Sequence, residues 1–147
     1  MATSNTSLFF FAYFLLVFLI TPSQSRNLSL RRQAKTLVSL KQAFVVSSVP
    51  SILSTWNMSN YMSICCWTGI TCDDTKSVTT IDISNLNISG SLSPDIHELT
   101  RLRVLNISNN LLDGNLSWEY RKFNVLQVLD AYNNNFTGTL PLGSYYN

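Results

Sequence analysis

The chain has 147 residues, which allows at most one domain. Ten Lys and Arg residues and eight Asp and Glu residues give it a formal net charge of +2. So weak a charge gives no indication of nucleic-acid binding.

Residues 8–20 form an uncharged apolar run, LFFFAYFLLVFLI. This run is too short to span a bilayer comfortably, since a transmembrane helix needs about 20 apolar residues. The small residues Ser23 and Ser25 follow it, at the two positions that a signal peptidase reads. The pattern predicts a signal peptide over residues 1–25, cleavage near Ser25 and export through the secretory pathway. The alternative is an uncleaved signal anchor. Because no later segment approaches about 18 consecutive apolar residues, we expect no membrane anchor in this chain.

An amphipathic helix is predicted over residues 30–46, because apolar residues recur there at helical spacing. These apolar residues are Leu30, Ala34, Leu37, Val38, Phe44 and Val45. Five basic residues with no acidic residue among them lie in or just before this helix: Arg26, Arg31, Arg32, Lys35 and Lys41. A solvated helix face is the favoured explanation, and the alternative is contact with a membrane surface or an acidic partner.

The predicted export leads to two further predictions, one for the cysteines and one for the N-glycosylation sequons. Cys65, Cys66 and Cys72 would reach an oxidising compartment, so at least one disulfide is expected. A metal site on these cysteines is not expected, because no fourth ligand lies nearby in the sequence. Six N-x-S/T sequons in the predicted mature chain, residues 26–147, predict a glycosylated surface. They begin at Asn27, Asn57, Asn87, Asn106, Asn115 and Asn135.

A repeat with a period of 24 residues occupies the second half of the chain. Its three units begin at Val78, Leu102 and Leu126, and six apolar or glycine columns match without a gap. Two of these columns are two positions apart, so they face the same side of a short strand. The pattern predicts an α/β repeat solenoid with a short parallel sheet, in which residues 78–147 form three units, the third incomplete. Residues 26–77 are then a cap that covers the first unit.

Two polar or small columns have structural explanations. Gly90, Gly114 and Gly138 occupy a position where the chain must turn tightly or approach its neighbour. Asn110 and Asn134 occupy the ninth position, where a buried amide can bond to backbone groups of adjacent units. The first unit has Leu86 there, so we expect a weaker connection at that unit.

Alternate residues on each strand should face solvent on the concave side of the solenoid, the usual recognition surface of such folds. The candidate binding residues are Asp82, Val104, Asn106, Val128, Asp130 and Tyr132, and Thr80, Ser84 and Ser108 share this face. Tyr132 and Asp130 are the best candidates for contact, because aromatic anchors carry much binding energy. The alternative is that these residues only solvate the sheet. A glycan on Asn106 would obstruct this face.

The sequence contains no pattern that indicates catalysis. His97 is the only histidine, and no nucleophile stands in a context that would form a triad with it. No spacing suggests paired carboxylates in a cleft, and no glycine-rich phosphate loop is present. We therefore predict that the chain is not an enzyme and uses no metal or cofactor.

Residues 65–72 read CCWTGITC and resemble the C-x-W-x-G-[VI]-x-C signature of the N-terminal cap in plant leucine-rich-repeat receptor kinases. The resemblance extends over the predicted mature chain, from the helix to the repeats. Residues 85–110 and 126–143 look most like the CLAVATA and BARELY ANY MERISTEM class. The resemblance implies a leucine-rich-repeat fold with a helical cap. It also implies a single-pass receptor kinase that senses a small secreted peptide. Receptors of this class hold the peptide on more central repeats than the three predicted here.

The resemblance also implies a disulfide between Cys65 and Cys72, with Cys66 at a variable position. A buried free thiol is favoured for Cys66, and the alternatives are competition for Cys72 or an intermolecular link. The implied partners are a secreted peptide or the ectodomain of a receptor or co-receptor.

The function predicted on these grounds is a non-catalytic extracellular module, the N-terminal portion of a peptide-sensing receptor-kinase ectodomain without its anchor and kinase. Such a chain is either truncated or a soluble partner of a full-length receptor. It would lie in the apoplast, or at the cell surface if the receptor continues into a transmembrane helix. The alternatives are a secreted leucine-rich-repeat inhibitor of a wall-degrading enzyme and a gene fragment without function.

Overall fold

The structure, a computed structural model, describes residues 22–46, 53–116, 123 and 125–138. The cap consists of helix α1 (Pro22–Ala43), strand β1 (Phe44–Val46), a kinked 3₁₀ segment (Met58–Cys66) and strand β2 (Ile70–Cys72). Most of the predicted signal peptide, residues 1–21, lies outside the described residues. No helix in the described ranges is long and apolar enough to cross a membrane.

Three coils follow the cap, and each contributes two strands. Their strands are β3 (Val78–Asp82) and β4 (Ile88–Ser91), β5 (Val104–Asn106) and β6 (Leu111–Asn115), and β7 (Val128–Asp130) and β8 (Asn135–Thr137). A 3₁₀ turn, Pro94–Glu98, lies between the first two coils. The sequence predicted the strands that begin the coils and did not predict the second strand of each.

These strands form two four-stranded sheets. The front sheet has the order β2-β3-β5-β7, and the side sheet has the order β1-β4-β6-β8. In the front sheet, successive coils pair in parallel at an offset of 24 residues, so Thr80 pairs with Val104 and Val104 with Val128. The two cap strands pair antiparallel with the first coil. The 24-residue period is therefore the register of the front sheet.

The predicted helix end was wrong, because α1 stops at Ala43 and residues 44–46 form β1. In β1, Phe44 pairs with Gly90 and Val46 with Ile88. A strand here extends the side sheet and gives the backbone of β4 hydrogen-bond partners, and β-branched valines suit a strand. Phe44 is still buried, with 7% of its surface exposed.

Helix α1 covers the first coil with one apolar face and a set of polar contacts. Its fully buried residues are Ala34, Leu37 and Leu40. The Gln33 Oε1 accepts a hydrogen bond of 2.7 Å from the Val78 amide, where β3 begins. The Ser39 hydroxyl lies 3.0 Å from Asp95 Oδ2 on the 3₁₀ turn. The helix thus satisfies backbone and side-chain groups of the coil as well as covering its core.

Two tryptophans and a disulfide hold the rest of the cap. The rings of Trp56 and Trp67 are stacked with centroids 6.4 Å apart, and both are buried. Cys65 and Cys72 form a disulfide with Cα atoms 5.5 Å apart, which links the 3₁₀ segment to β2. Cys66 is free and exposed. The expectation of a buried Cys66 thiol was therefore wrong: Cys65 bonds to the strand, whereas the adjacent Cys66 side chain is open to solvent.

Asn110 occupies the centre of the coil stack, with 6% of its surface exposed. Its Oδ1 accepts hydrogen bonds from the Leu86 and Ile88 amides of the preceding coil, each 3.1 Å long. Its Nδ2 donates to the carbonyl of Ile83 in that coil and to the carbonyls of Ile107 and Ser108 in its own. The carboxamide thus replaces backbone hydrogen bonds that a tight coil cannot make itself.

Asn134 repeats this arrangement one coil later. Its Oδ1 accepts from the Leu112 amide, and its Nδ2 donates to the Ile107 carbonyl. Each asparagine therefore bonds backward, to the coil that precedes it. At Leu86 an asparagine would face the antiparallel cap instead of a coil, and Leu86 packs against the core.

A second asparagine column was missed in the sequence. Asn85, Asn109 and Asn133 lie 24 residues apart and have φ of 58°, 54° and 53°. Asparagine tolerates this left-handed conformation better than most residues. The signal was visible as three asparagines in step, one position before the buried column.

Asn110→Ala should lower the free energy of unfolding by about 3 kcal/mol or more, because each buried backbone group left without a partner costs about 1–3 kcal/mol. Urea denaturation of the purified chain measures this loss. Asn134→Ala is the matched control, since Asn134 is half-buried and should cost less. Equal losses in the two variants would contradict the central role of Asn110.

Gly69→Ala should destabilise the cap more than Gly114→Ala destabilises the second coil. Both glycines have left-handed φ, 73° and 88°, where any other residue costs about 1–2 kcal/mol. A Cβ on Gly69 would lie 2.1 Å from the Asp82 carbonyl oxygen, whereas a Cβ on Gly114 meets only the Ser91 Cβ, at 3.6 Å. The clash adds about 1–3 kcal/mol. Thermal unfolding of the two variants in parallel tests this difference, and similar melting temperatures would refute it.

Asp73 should make the stability of the cap depend on acid pH. Its pKa is lowered from 3.8 by the Thr75 hydroxyl first, by the Ser77 amide next, and less by the Thr75 amide and the Arg101 charge, while burial opposes them. A lowered folded-state pKa means that the stabilisation is complete above pH 3.8 and disappears as the pH falls through the folded-state value. The free energies of unfolding of wild type and Asp73→Asn, measured by urea denaturation from pH 6 to about pH 2, should converge as the pH falls. Asp74→Asn, which removes the same charge from the exposed neighbour, is the control and should remain parallel to wild type.

Candidate functional site

The outer surface of the front sheet is arranged in three rows that run across the coils. The first row is Thr80, Val104 and Val128, the second is Asp82, Asn106 and Asp130, and the third is Ser84, Ser108 and Tyr132. Val128 and Tyr132 are large and exposed, at 49% and 76% of their surfaces, whereas Val104 is half-buried. The structure therefore brings the six candidate residues together on one sheet.

The second row is held by hydrogen bonds that end the strands. The Oδ1 atoms of Asp82, Asn106 and Asp130 each accept from the amide two residues later, at 3.1, 3.2 and 3.1 Å. The Asn106 Nδ2 also donates to Asp82 Oδ2 at 3.2 Å, which joins two coils. Side-chain turns of this kind are typical of Asp and Asn. Asp82 and Asn106 thus have a structural role as well as a place on the surface.

The electrostatics of Asp82 follow from these bonds. Burial acts to raise the pKa of its carboxyl, but the amide and hydroxyl of Ser84 and the Asn106 amide outweigh burial, so the pKa lies below the usual 3.8. Asp82 is therefore negatively charged at any pH near neutrality. It contributes a fixed negative charge to the front sheet.

Ser108 does not face solvent as predicted, because only 5% of its surface is exposed. Its hydroxyl donates to Asn106 Oδ1 at 2.8 Å. Ser84 makes the same two bonds to Asp82 and stays half-buried, so the bond alone does not bury Ser108, which lies between the first and third coils. In the third coil the same row carries Tyr132, which is too large to turn in and stays exposed.

The exposed residues at the third coil border a cleft of about 420 Å³. Asp130 and Tyr132 contribute to its polar side, and Leu129, Ala131 and Phe136 to its apolar side. The exposed Tyr132 ring and the half-buried apolar side chains beside Asp130 are suited to contact with a partner.

The predicted sequons lie in different parts of the structure. Asn87 precedes β4, Asn115 ends β6 and Asn135 begins β8, so these three exposed residues belong to the side sheet. Asn57 is exposed and its side chain accepts from the Ser59 amide at the start of the 3₁₀ segment. Asn27 lies on α1, and Asn106, on the front sheet, is half-buried. Glycans at these positions remain a prediction.

The remaining candidates for chemistry are isolated. His97 lies on the 3₁₀ turn, half-buried, with its Nδ1 against the Pro94 carbonyl oxygen. Within the described ranges, no group of three or more His, Cys, Asp or Glu residues is close enough to hold a metal ion.

Two family models match the chain. The leucine-rich-repeat N-terminal domain matches residues 30–73, and the leucine-rich repeat matches residues 101–123 and 125–144. The first match covers the cap from α1 to the end of β2, and the second covers the later coils.

Curated relatives are found among plant receptor proteins. MALE DISCOVERER 1 of Arabidopsis thaliana is 36% identical over 96 residues, which is 65% of this chain and 14% of that protein. The leucine-rich-repeat receptor-like protein kinase PEPR1 of Arabidopsis thaliana is 35% identical over 97 residues, 65% of this chain and 8% of that protein. The chain therefore spans a seventh or less of the length of these relatives.

Solved structures show the same fold. The PEPR1–AtPEP1 structure has a TM-score of 0.55 and 32% identity, over 71% of this chain and 18% of that one. The ectodomain of GASSHO1/SCHENGEN3 from Arabidopsis thaliana, in complex with CASPARIAN STRIP INTEGRITY FACTOR 2, has a TM-score of 0.57 and 28% identity, over 69% of this chain and 12% of that one. With its matching cap and coils, the chain contains a leucine-rich-repeat N-terminal domain and leucine-rich repeats, and it is homologous to plant leucine-rich-repeat receptor-like kinases.

Proposed function

We propose that this chain is the N-terminal portion of an extracellular, non-catalytic sensing module of a receptor-like kinase, and that the whole module detects a small secreted peptide. The observation that carries the proposal is the front sheet, whose outer face is open and presents Val128 and Tyr132 beside Asp130. A surface of this kind binds by shape and contact and performs no reaction.

The homologous structures support a sensing role. One of them contains PEPR1 with AtPEP1, and another contains GASSHO1/SCHENGEN3 with CASPARIAN STRIP INTEGRITY FACTOR 2. The partner proposed for this chain is likewise a secreted peptide, or the ectodomain of a receptor or co-receptor. Within the family we propose the CLAVATA and BARELY ANY MERISTEM class, on the resemblance of residues 85–110 and 126–143.

Export to the apoplast is part of the proposal. The disulfide of the cap suits an oxidising compartment, and exposed sequons such as Asn87 and Asn135 are accessible to glycans. We propose that residues 1–25 direct the export and are removed near Ser25.

The full transcript is the first test. Read in frame beyond residue 147, it should encode further 24-residue repeats, an apolar segment of about 20 residues and kinase motifs. A stop codon together with a stable secreted product would favour a soluble partner of a receptor. A stop codon without an accumulating product would contradict a sensing role.

The second test compares the two sheets. The full chain is expressed in leaf tissue and recovered from the apoplastic fluid with its bound peptides, which are identified by mass spectrometry. Val128→Asp should abolish recovery of the specific peptide, because it places a charge on the front sheet. Leu111→Asp places the same charge on the side sheet and should leave recovery of the peptide unchanged. Val128 and Leu111 are matched, with 49% and 54% of their surfaces exposed. Equal recovery from both variants would exclude the front sheet as the binding surface.

A further inference from the structure

The outward side of α1 is a second surface, separate from the front sheet. The helix carries five basic residues and no acidic residue. Because the whole chain has ten basic and eight acidic residues, its remainder has more acidic than basic residues. The positive charge of the protein is therefore concentrated on this helix.

A groove of about 300 Å³ runs along one side of α1. Leu28, Ser29 and Arg32 form its helix wall, and Glu98, Thr100 and Arg101 lie on the opposite wall. We call this the helix groove. Ser25 also lines the helix groove, so removal of residues 1–25 would take away that one residue and leave the other lining residues in place.

Two guanidinium groups dominate the charge of the helix groove. Arg32 is exposed, and in the described ranges no ion pair or side-chain hydrogen bond engages it. The Arg101 side chain is 53% exposed and uses its Nε to contact Asp73 Oδ2 at 3.1 Å. Glu98 is the opposing charge, and its Oε2 accepts from the Thr36 hydroxyl at 3.4 Å. The groove thus keeps a positive excess, with arginine forks that match carboxylates.

Leu28 adds an apolar contact at the same place, because 63% of its surface is exposed. An occupant that combines carboxylates with an apolar side chain would use both features. A bilayer fits less well, since the site is a recess with a single large exposed apolar side chain on its wall. A sugar polymer fits less well, since the described residues that line the groove include no aromatic ring.

A glycan on Asn27 would leave the helix groove open. Successive residues of a helix are separated by about 100°. Asn27 is therefore on nearly the opposite side of α1 from Ser29, which lines the groove. The predicted modification and the groove do not compete for space.

We propose that the helix groove docks an extended acidic peptide segment of a partner protein, with carboxylates on Arg32 and Arg101 and an apolar side chain on Leu28. This docking does not depend on the front sheet or on the identity of a sensed peptide. A failure here would leave the proposed sensing function untouched.

The test uses the purified full chain and a fluorescent probe, fluorescein-Asp-Leu-Glu-Asp-Leu-Glu-amide, labelled at its N-terminus. Binding is followed by anisotropy at about 0.15 M salt, where long-range charge effects are screened. Arg32→Ser should weaken binding about tenfold through loss of a charge-assisted contact. Arg31→Ser is the matched control: it removes the same charge from the same helix at a residue about 100° around the helix axis from Arg32, and should change the affinity less than about twofold.

A charge-reversal variant separates a change in binding preference from a loss of stability, because an unfolded protein would not gain binding of a different probe. Arg32→Glu should lose the acidic probe and gain binding of a probe in which lysine replaces both aspartate and glutamate. Equal weakening by Arg31→Ser and Arg32→Ser would show attraction to net charge alone and overturn the proposal. Tighter binding to phosphatidylglycerol vesicles or to polygalacturonate than to the probe would overturn it in favour of a membrane or a polysaccharide.

Discussion

The structure depends on the need to satisfy backbone groups inside a narrow coil. Asn110 meets that need with one side chain, which contacts two amides and three carbonyls in two coils. An apolar residue at that site would pack well and leave those groups without partners, at a cost that packing cannot offset. The leucine and isoleucine columns fill the core, and the asparagine allows the chain to turn around it.

The cap solves the same problem for the first coil by other means. No coil precedes β3, so Gln33 on α1 supplies a partner for the Val78 amide, and the antiparallel strands β1 and β2 complete the two sheets. The disulfide links β2 to the 3₁₀ segment, and Asn60 of that segment accepts a hydrogen bond from the Trp67 indole nitrogen. Helix, strands and disulfide therefore act as a substitute for the missing coil.

The repeat and the cap could be predicted from the sequence because buried positions recur at a fixed spacing. The side sheet was missed because each of its coil strands carries a single apolar column followed two positions later by a glycine, and a glycine column is typical of a turn. The end of α1 was missed because Phe44 and Val45 fit the helical pattern as well as a strand. At the candidate site, the exposed Val128 and Tyr132 followed from alternation. The burial of Ser108 did not, because it depends on the neighbouring coils: Ser84 makes the same side-chain turn in the first coil and stays half-buried.

The backward direction of the asparagine bonds has a consequence for synthesis. Leu86 and Ile88 receive their partner from Asn110, more than twenty residues later in the chain. As the chain leaves the ribosome, the first coil cannot complete its hydrogen bonds until the second has emerged, and the second waits in the same way for Asn134. Folding then advances from the cap towards the C-terminus. At every stage the newest coil is the one most open to proteases and chaperones.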